Sequence, residues 1–522
     1  MTSAQVAIEN SRTELLKVTS PVYESFISST KDPKRYLDLA WKEILEASKW
    51  GKFWSGTNLA FDGVRRIGLP ISEFRDYQPA LEAAFDEKIS PLTGQPIAWW
   101  ARSSGTTNVN KKAFPYTEAV CKKLRIRRVL TIHNMLMRTN PLHPLKILTF
   151  SMTDPFYHPK TQLPISFGTA ILRLSFDAEF GGLESVPQYA YSDDLKFKML
   201  APIYALASEV SAFLAVTPAP VLGFLNSIQN DKSTIAAYIS GDLKLPPDAP
   251  PLKISPQRRE FLLSYLRNTT QFKVTEIWPS LQLVYCWKTS SCQSFLNKIQ
   301  PYLSDSLQVV HSNYGAIEGQ FALASQSDVA GGPVNPLYGV TEFLRVGADL
   351  DSRNLVQSWE LKEGIEYEII LSNVMGLLRY RLHDIIRCVG YFNKSPVIQF
   401  VQKEGNAIAL GVLYLLESDI TAALVRLNVT ISGRWVFVPR QDFRGLELAF
   451  DDNSSQNSPT LCSRVDDILC DMNPSYKGWR KKGFLEPIAG RFIPPSHQFW
   501  QRFPSAHAQV KPLIISNRPV EE

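Results

Sequence analysis

The sequence predicts an α/β fold, and three observations carry that reading. Short apolar runs rich in β-branched residues, Leu281-Gln282-Leu283-Val284-Tyr285, Leu307-Gln308-Val309-Val310 and Tyr367-Glu368-Ile369-Ile370-Leu371, have the length and composition of buried strands. Helical patterns lie between the earlier strands, the alternation that builds a sheet covered by helices. The chain has 522 residues, more than one core organises, so two or more domains are expected.

Taken in order, Tyr36 to Trp54 places Leu37, Leu39, Trp41, Ile44, Leu45 and Ala47 on one broad face and reads as a helix. The apolar run Pro96-Ile97-Ala98-Trp99-Trp100 reads as a strand that delivers a polar loop. Val120 to Met137 reads as a helix with Leu124, Val129, Ile132 and Leu136 inward. Its basic cluster, Lys122, Lys123, Arg125, Arg127 and Arg128, is either a solvated face or the source of an arginine for a substrate carboxylate. Tyr204 to Leu225 reads as one buried helix ending in a proline-punctuated turn, and Pro246 to Pro251 as a loop. Strands at Arg434–Pro439 and Leu446–Phe450, with a helix through Val465, Ile468, Leu469 and Met472, predict a smaller α+β unit at the end. Asp451 to Pro459 is a polar loop, and no internal repeat is present.

Composition excludes several classes. The chain is 44% hydrophobic and 20% charged, ordinary for a soluble globular protein. A net charge of +6 suits small anionic substrates and falls short of a nucleic-acid footprint. The start, Met1-Thr2-Ser3-Ala4-Gln5, has no secretory pattern, and the apolar stretch Ile203 to Leu225 is broken by Glu209, Pro218 and Pro220, so no membrane span is expected. Six scattered cysteines without Cys-x-x-Cys, and seven histidines without zinc spacing, predict reduced thiols, a cytoplasmic setting and no structural zinc. No protein partner is signalled.

Three clusters carry chemistry. The first, Ser103-Ser104-Gly105-Thr106-Thr107 running through Lys112 to Pro115-Tyr116-Thr117, offers a polyphosphate backbone N–H groups, hydroxyls and a cation, or else is a surface turn. It lacks the Gly-x4-Gly-Lys-Ser/Thr spacing of the common NTPase cradle. The second, Ser312-Asn313-Tyr314-Gly315-Ala316-Ile317-Glu318-Gly319, follows a strand; Tyr314 could stack on or line a purine and Glu318 could hold Mg²⁺. A hairpin or βα turn with a helix-capping glutamate explains it equally. The third, Arg379-Tyr380-Arg381-Leu382-His383-Asp384, offers a fixed carboxylate for ribose hydroxyls, with Arg381 offsetting its charge or facing a phosphate, or is an exposed Arg–Asp pair.

In this order and at these separations, the clusters resemble the Gretchen Hagen family of acyl acid amido synthetases, the auxin-responsive amidosynthetases of the adenylate-forming superfamily. Members carry a Ser-Ser-Gly-Thr-Thr loop ending in Lys-x-x-Pro-x-Thr, a Tyr-x-x-x-Glu motif, and a Tyr-Arg-x-Gly-Asp strand followed by a Val-Gly-Phe/Tyr-like segment. The resemblance covers most of the chain, from Phe74–Pro79 through Tyr391–Val401 to Asn473, Tyr476, Arg480, Lys481 and Gly483. Gln509-Val510-Lys511-Pro512 is similar to the family's terminal Gln-x-Lys-x-Pro signature with the proline moved up.

The resemblance implies a large adenylate-forming domain at 1–404 that binds ATP and acyl acid, and a small mobile α+β lid at 405–522. It implies that ATP activates a small carboxylic acid as an acyl-adenylate, and that an amine or amino acid then takes the acyl group as an amide. Ser103, Ser104, Gly105, Thr106, Thr107 and Lys112 would surround the phosphates, and Glu318 would hold Mg²⁺. Tyr314, Arg381 and Asp384 would fix the nucleotide, and Lys511 would reach the α-phosphate or carboxylate from the lid. Sequence alone equally reads Lys511 as a solvated lysine near the tail. Three departures stand close to this chemistry: Val109 where the phosphate loop has glycine, His383 in place of the glycine before the aspartate, and Tyr414 in place of a hinge lysine. They keep open a non-catalytic nucleotide- or acid-binding relative, and the resemblance to the wider superfamily keeps open an adenylating ligase with a thiol acceptor.

Overall fold

A computed structural model describes residues 3–55, 69–102, 112–151, 155–192, 194–288, 292–324, 331–404, 407–410, 413–429, 431, 433–442, 444–452, 459–481, 483, 485–502, 515–516 and 520. The architecture is mixed α/β, as the sequence predicts, with several sheets.

A four-stranded sheet of Ile147–Phe150, Ala212–Ala215, Leu283–Cys286 and Gln308–His311 is parallel throughout. Its inner strands Ala212–Ala215 and Leu283–Cys286 are buried on both faces, which is why Leu283–Cys286 reads as a continuous apolar run. A second sheet pairs Ile97–Arg102 antiparallel with Ala113–Thr117 and parallel with Pro164–Phe167. A six-stranded antiparallel sheet contains Val340–Arg345, Glu366–Ser372, the long Tyr380–Phe392 and Ser395–Lys403 in adjacent positions. A short hairpin pairs Tyr314–Gly315 with Gln320–Ala322.

The early helix runs Pro33–Ser48, with Asp32 capping the N–H of Arg35 and proline opening its first turn. Leu37, Trp41, Ile44 and Leu45 face the core as predicted, whereas Leu39 is exposed. The helix Glu118–Arg138 covers the predicted span.

The stretch Tyr204 to Leu225 is not one helix. It divides into the end of helix Asp194–Ala207, strand Ala212–Ala215 and helix Pro218–Asn230. Hydropathy cannot separate a buried strand from a buried helix. Pairing with Ile147–Phe150 and Leu283–Cys286 on either side draws Ala212–Ala215 into the sheet, and Pro218 can only open a new helix.

Three large apolar clusters fill the interior. One joins Trp41, Tyr77, Tyr116, Tyr314 and Tyr380 beneath the antiparallel sheet, and a second gathers Phe150, Phe213, Phe224 and Trp278 around the parallel one. The third is made only of residues between 408 and 515 and packs strands Trp435–Pro439 and Leu446–Phe450 under helices Glu417–Leu427 and Pro459–Met472. Among the described residues, no helix is long and apolar enough to cross a membrane.

Candidate active site

Strand Gln308–His311 runs into the hairpin Tyr314–Ala322, and the hairpin turn presents Glu318. The turn closes through Ala316 N–H to the Gly319 carbonyl, 2.8 Å. Gly315 leaves room there for the Gln320 amide. A Cβ on it would lie 2.2 Å from Gln320 Oε1. The cluster is therefore a hairpin, and its glutamate caps no helix.

Tyr314 is buried, its ring enclosed by Trp287, Phe321 and Phe400 at centroid distances of 5.6, 5.2 and 5.8 Å. The ring is thus committed to the core instead of open for stacking on a base. Its hydroxyl donates to Asp384 Oδ2 at 2.7 Å, and burial with the neighbouring Asp384 charge raises its pKa well above the ordinary value.

Asp384 stands opposite Lys403 on the adjoining strand, and Lys403 Nζ lies 2.7 Å from Asp384 Oδ1 and 3.0 Å from the Leu382 carbonyl. Burial would lower the Lys403 pKa, but Asp384 and Glu318 outweigh it and the net shift is upward. Lys112 directly precedes strand Ala113–Thr117. Its Nζ donates to Tyr380 Oη at 2.9 Å, sits 3.8 Å from Glu318 Oε1, and lies 4.9 Å from the ring centre of Phe74. Burial lowers its pKa, Lys403 adds to that, and Glu318, Asp384 and Glu73 oppose it.

The fold thus brings together Lys112, Tyr314, Glu318 and Asp384 from three separate sequence clusters. With Lys403, two ammonium groups and two carboxylates converge there. Such a group can hold an anion, a divalent cation and a diol at once.

Arg381 is not part of that group. It makes a bidentate pair with Glu368 at 2.8 and 3.0 Å, reaches Glu404 at 2.6 Å and lies 3.4 Å from Glu73. It therefore neither offsets Asp384 nor is left open to a phosphate. His383 has φ of +62°, in the left-handed region, and its Nδ1 lies 2.8 Å from Glu404 Oε2. Glycine enters that region without the Cβ cost that His383 bears here.

Ser103, Ser104, Gly105, Thr106, Thr107 and Val109 lie outside the described residues, as do Gln509 and Lys511. The strands flanking the loop are described, and Arg102 pairs with Ala113. Tyr414 belongs to strand Leu413–Leu416, but its side chain is also outside the described set.

Two functional features escape the sequence. Lys403 belongs to no motif; only strand register places it on Asp384. The basic cluster of helix Glu118–Arg138 is not a uniform solvated face. Lys123 pairs with Glu43 at 2.6 Å at the surface and Arg125 with Glu179, whereas Arg128 is buried against Glu184 at 3.2 Å. Arg127 turns inward and donates from Nη1 to Gln320 Oε1 at 2.6 Å. Burial lowers its pKa, and the titratable groups that act on it are the phenols Tyr338, Tyr285 and Tyr116, themselves kept neutral by burial. The Arg127 side chain is half-buried.

Residues 23–309 match the model of the GH3 family N-terminal domain, and residues 334–403 that of the GH3 family central domain. The jasmonoyl–L-amino acid synthetase JAR6 of Nicotiana attenuata is 22% identical over 443 residues, covering 77% of this chain and 75% of that protein. The indole-3-acetic acid-amido synthetase GH3.2 of Arabidopsis thaliana is 24% identical over 407 residues, covering 68% and 69%. Among solved structures, GH3.15 acyl acid amido synthetase superimposes with a TM-score of 0.78 at 17% identity, covering 95% of this chain and 93% of that one. At that identity the superposition establishes the fold.

Proposed function

The chain belongs to the GH3 family, and from that membership we propose that it is an ATP-dependent ligase joining a small carboxylic acid to an amine, an amino acid above all. The reaction runs in two steps. A carboxylate oxygen of the acid attacks the α-phosphorus of ATP, the bond to the bridging oxygen breaks, and pyrophosphate leaves with that electron pair. The amine nitrogen then attacks the acyl carbon, the bond to the AMP oxygen breaks, and the nitrogen loses a proton to give the amide.

The observation that supports this most is the convergence of Lys112, Glu318, Asp384 and Lys403 beside the strands that flank the Ser103–Lys111 loop. Lys112 places a cation where negative charge shifts toward the departing pyrophosphate, and it is already desolvated there. Asp384, oriented by Tyr314 and Lys403, accepts from ribose hydroxyls and so fixes the α-phosphate in line with the acid. Glu318 fits Mg²⁺. It is largely buried, and its carboxylate accepts no hydrogen bond from the described residues. It would hold the ion with the phosphate oxygens completing the ligand set, and the ion would neutralise triphosphate charge. Arg127 and Gln320 line the acid side. Residues 405–522 act as the lid, and Lys511 is delivered from it to the α-phosphate during the first step.

Acid-dependent exchange of labelled pyrophosphate into ATP, over aromatic, aliphatic and hydroxy acids, tests the first step; mass spectrometry of amides formed with the amino acids tests the second. Intact nucleotide binding with no exchange for any acid refutes the ligase reading. Exchange followed by thioester and no amide refutes the amine acceptor.

A further inference from the structure

We infer that Tyr380 is a positioning residue of this site: its hydroxyl holds the Lys112 ammonium off the Glu318 carboxylate, so that the carboxylate stays open to Mg²⁺ and the ammonium to the triphosphate. The inference rests on the proposed role of Glu318 as the Mg²⁺ ligand.

The tyrosine and the glutamate are fixed, and the lysine is the movable part. Tyr380 pairs with Leu371 on one side and with Ser72 on the other, where Ser72 N–H donates to the Arg379 carbonyl at 2.9 Å and the Ser72 carbonyl accepts from Arg381 N–H at 2.7 Å. The Tyr380 ring is buried, with Tyr77 and Phe114 at centroid distances of 6.0 and 6.2 Å. Glu318 sits in the hairpin turn, and Asn373 Nδ2 donates to its backbone carbonyl at 2.6 Å. Lys112 carries its ammonium on a flexible aliphatic stem.

Within that frame the ammonium is shared unequally. It donates to Tyr380 Oη at 2.9 Å but stands 3.8 Å from Glu318 Oε1, an ion pair too long for a hydrogen bond. A lysine free to choose between the two takes the carboxylate, because a hydrogen bond between two charged groups is the stronger one. Here it takes the phenol. Four other buried tyrosines, Tyr116, Tyr285, Tyr314 and Tyr476, spend their hydroxyls as donors, whereas Tyr380 accepts from a cation. Burial first, then the Glu318 charge, raises the Tyr380 pKa and keeps the phenol neutral. A neutral acceptor fixes the ammonium without cancelling its charge, which a carboxylate would do.

Tyr380→Phe removes one oxygen and leaves the ring. Lys112 then loses its acceptor, and Glu318 lies less than about 1 Å beyond hydrogen-bond distance. Closing that gap spends both charges on each other. Mg²⁺ must then compete with Lys112 for the carboxylate, and the triphosphate must compete with Glu318 for the ammonium.

Titration calorimetry of the full chain with a non-hydrolysable ATP analogue, once in Mg²⁺ and once in EDTA, tests this without turnover. The ratio of the two dissociation constants is the factor by which Mg²⁺ tightens binding. In Tyr380→Phe that factor should fall about 10-fold, the size of one charge-assisted hydrogen bond, while binding in EDTA persists. Lys112→Met and the double variant Lys112→Met/Tyr380→Phe should give the same factor within about 2-fold, because nothing is left to be held off Glu318. A merely structural tyrosine would lower the factor equally with and without Lys112, and that result overturns the inference. So does loss of binding in EDTA in Tyr380→Phe, which would make the hydroxyl a support of the whole pocket. A factor that is unchanged in Tyr380→Phe but lost in Glu318→Gln removes the inference and leaves the metal reading standing; one that survives Glu318→Gln removes both. The expected pattern with no acid-dependent pyrophosphate exchange removes the ligase reading and leaves this inference in place.

Discussion

Acid should destabilise this protein through one histidine next to the Tyr314–Ala322 hairpin. His311 ends strand Gln308–His311, its ring stacks on Trp287 at 6.5 Å, and its Nδ1 faces the Lys288 N–H at 3.2 Å. Burial first, and the Lys288 charge second, hold its pKa down to about 4. An unfolded chain returns histidine to about 6.5. The folded value is the lower one, so the unfolded state takes up the proton first as pH falls. Stability is whole above pH ~6.5 and is lost progressively down to about 4. The slope approaches ~1.4 kcal/mol per pH unit, and over the window it amounts to about 3 kcal/mol. His311→Asn keeps an acceptor for Lys288 N–H and removes the titration. Urea unfolding of both proteins at pH 7.5, 6.5, 5.5 and 4.5 separates this histidine from every other titrating group, because those are shared. The wild type should lose about 2–3 kcal/mol more than the variant between pH 6.5 and 4.5. Parallel losses in the two proteins would refute the assignment of a neutral, buried His311.

Lys403→Met leaves the buried Asp384 without its cation and should raise the ATP KM ~10-fold or more in the exchange assay; an unchanged KM would remove Lys403 from the nucleotide site. Lys511→Ala should slow adenylation in single-turnover measurements with little change in ATP-analogue binding, and a full adenylation rate would refute its delivery to the α-phosphate. Arg379→Leu strands Glu342, where both side chains are 2% exposed, and should cost about 3–5 kcal/mol in denaturant unfolding. His383→Gly relieves ~1–2 kcal/mol of left-handed strain, and it loses a partly exposed pair with Glu404 worth up to ~1 kcal/mol and about 0.5–1 kcal/mol of chain entropy. Its stability should therefore stay within about 1 kcal/mol of wild type and exceed that of His383→Ala, which keeps the strain.

What the sequence made legible follows from how far each signal reaches along the chain. Strands Leu283–Cys286, Gln308–His311 and Glu366–Ser372 and the helix Glu118–Arg138 announce themselves by composition and local period. Lys112, Tyr314, Glu318 and Asp384 were readable as candidates because each sits in a short motif, and the fold brings them together. Ala212–Ala215 was not readable as a strand, because its pairing partners are more than sixty residues away on either side. Lys403 depends on antiparallel register, and the inward turn of Arg127 depends on where its helix meets Gln320, 193 residues later. Arg381 misled for the opposite reason. Its neighbour in sequence is the nucleotide strand, but its partners Glu73, Glu368 and Glu404 come from elsewhere.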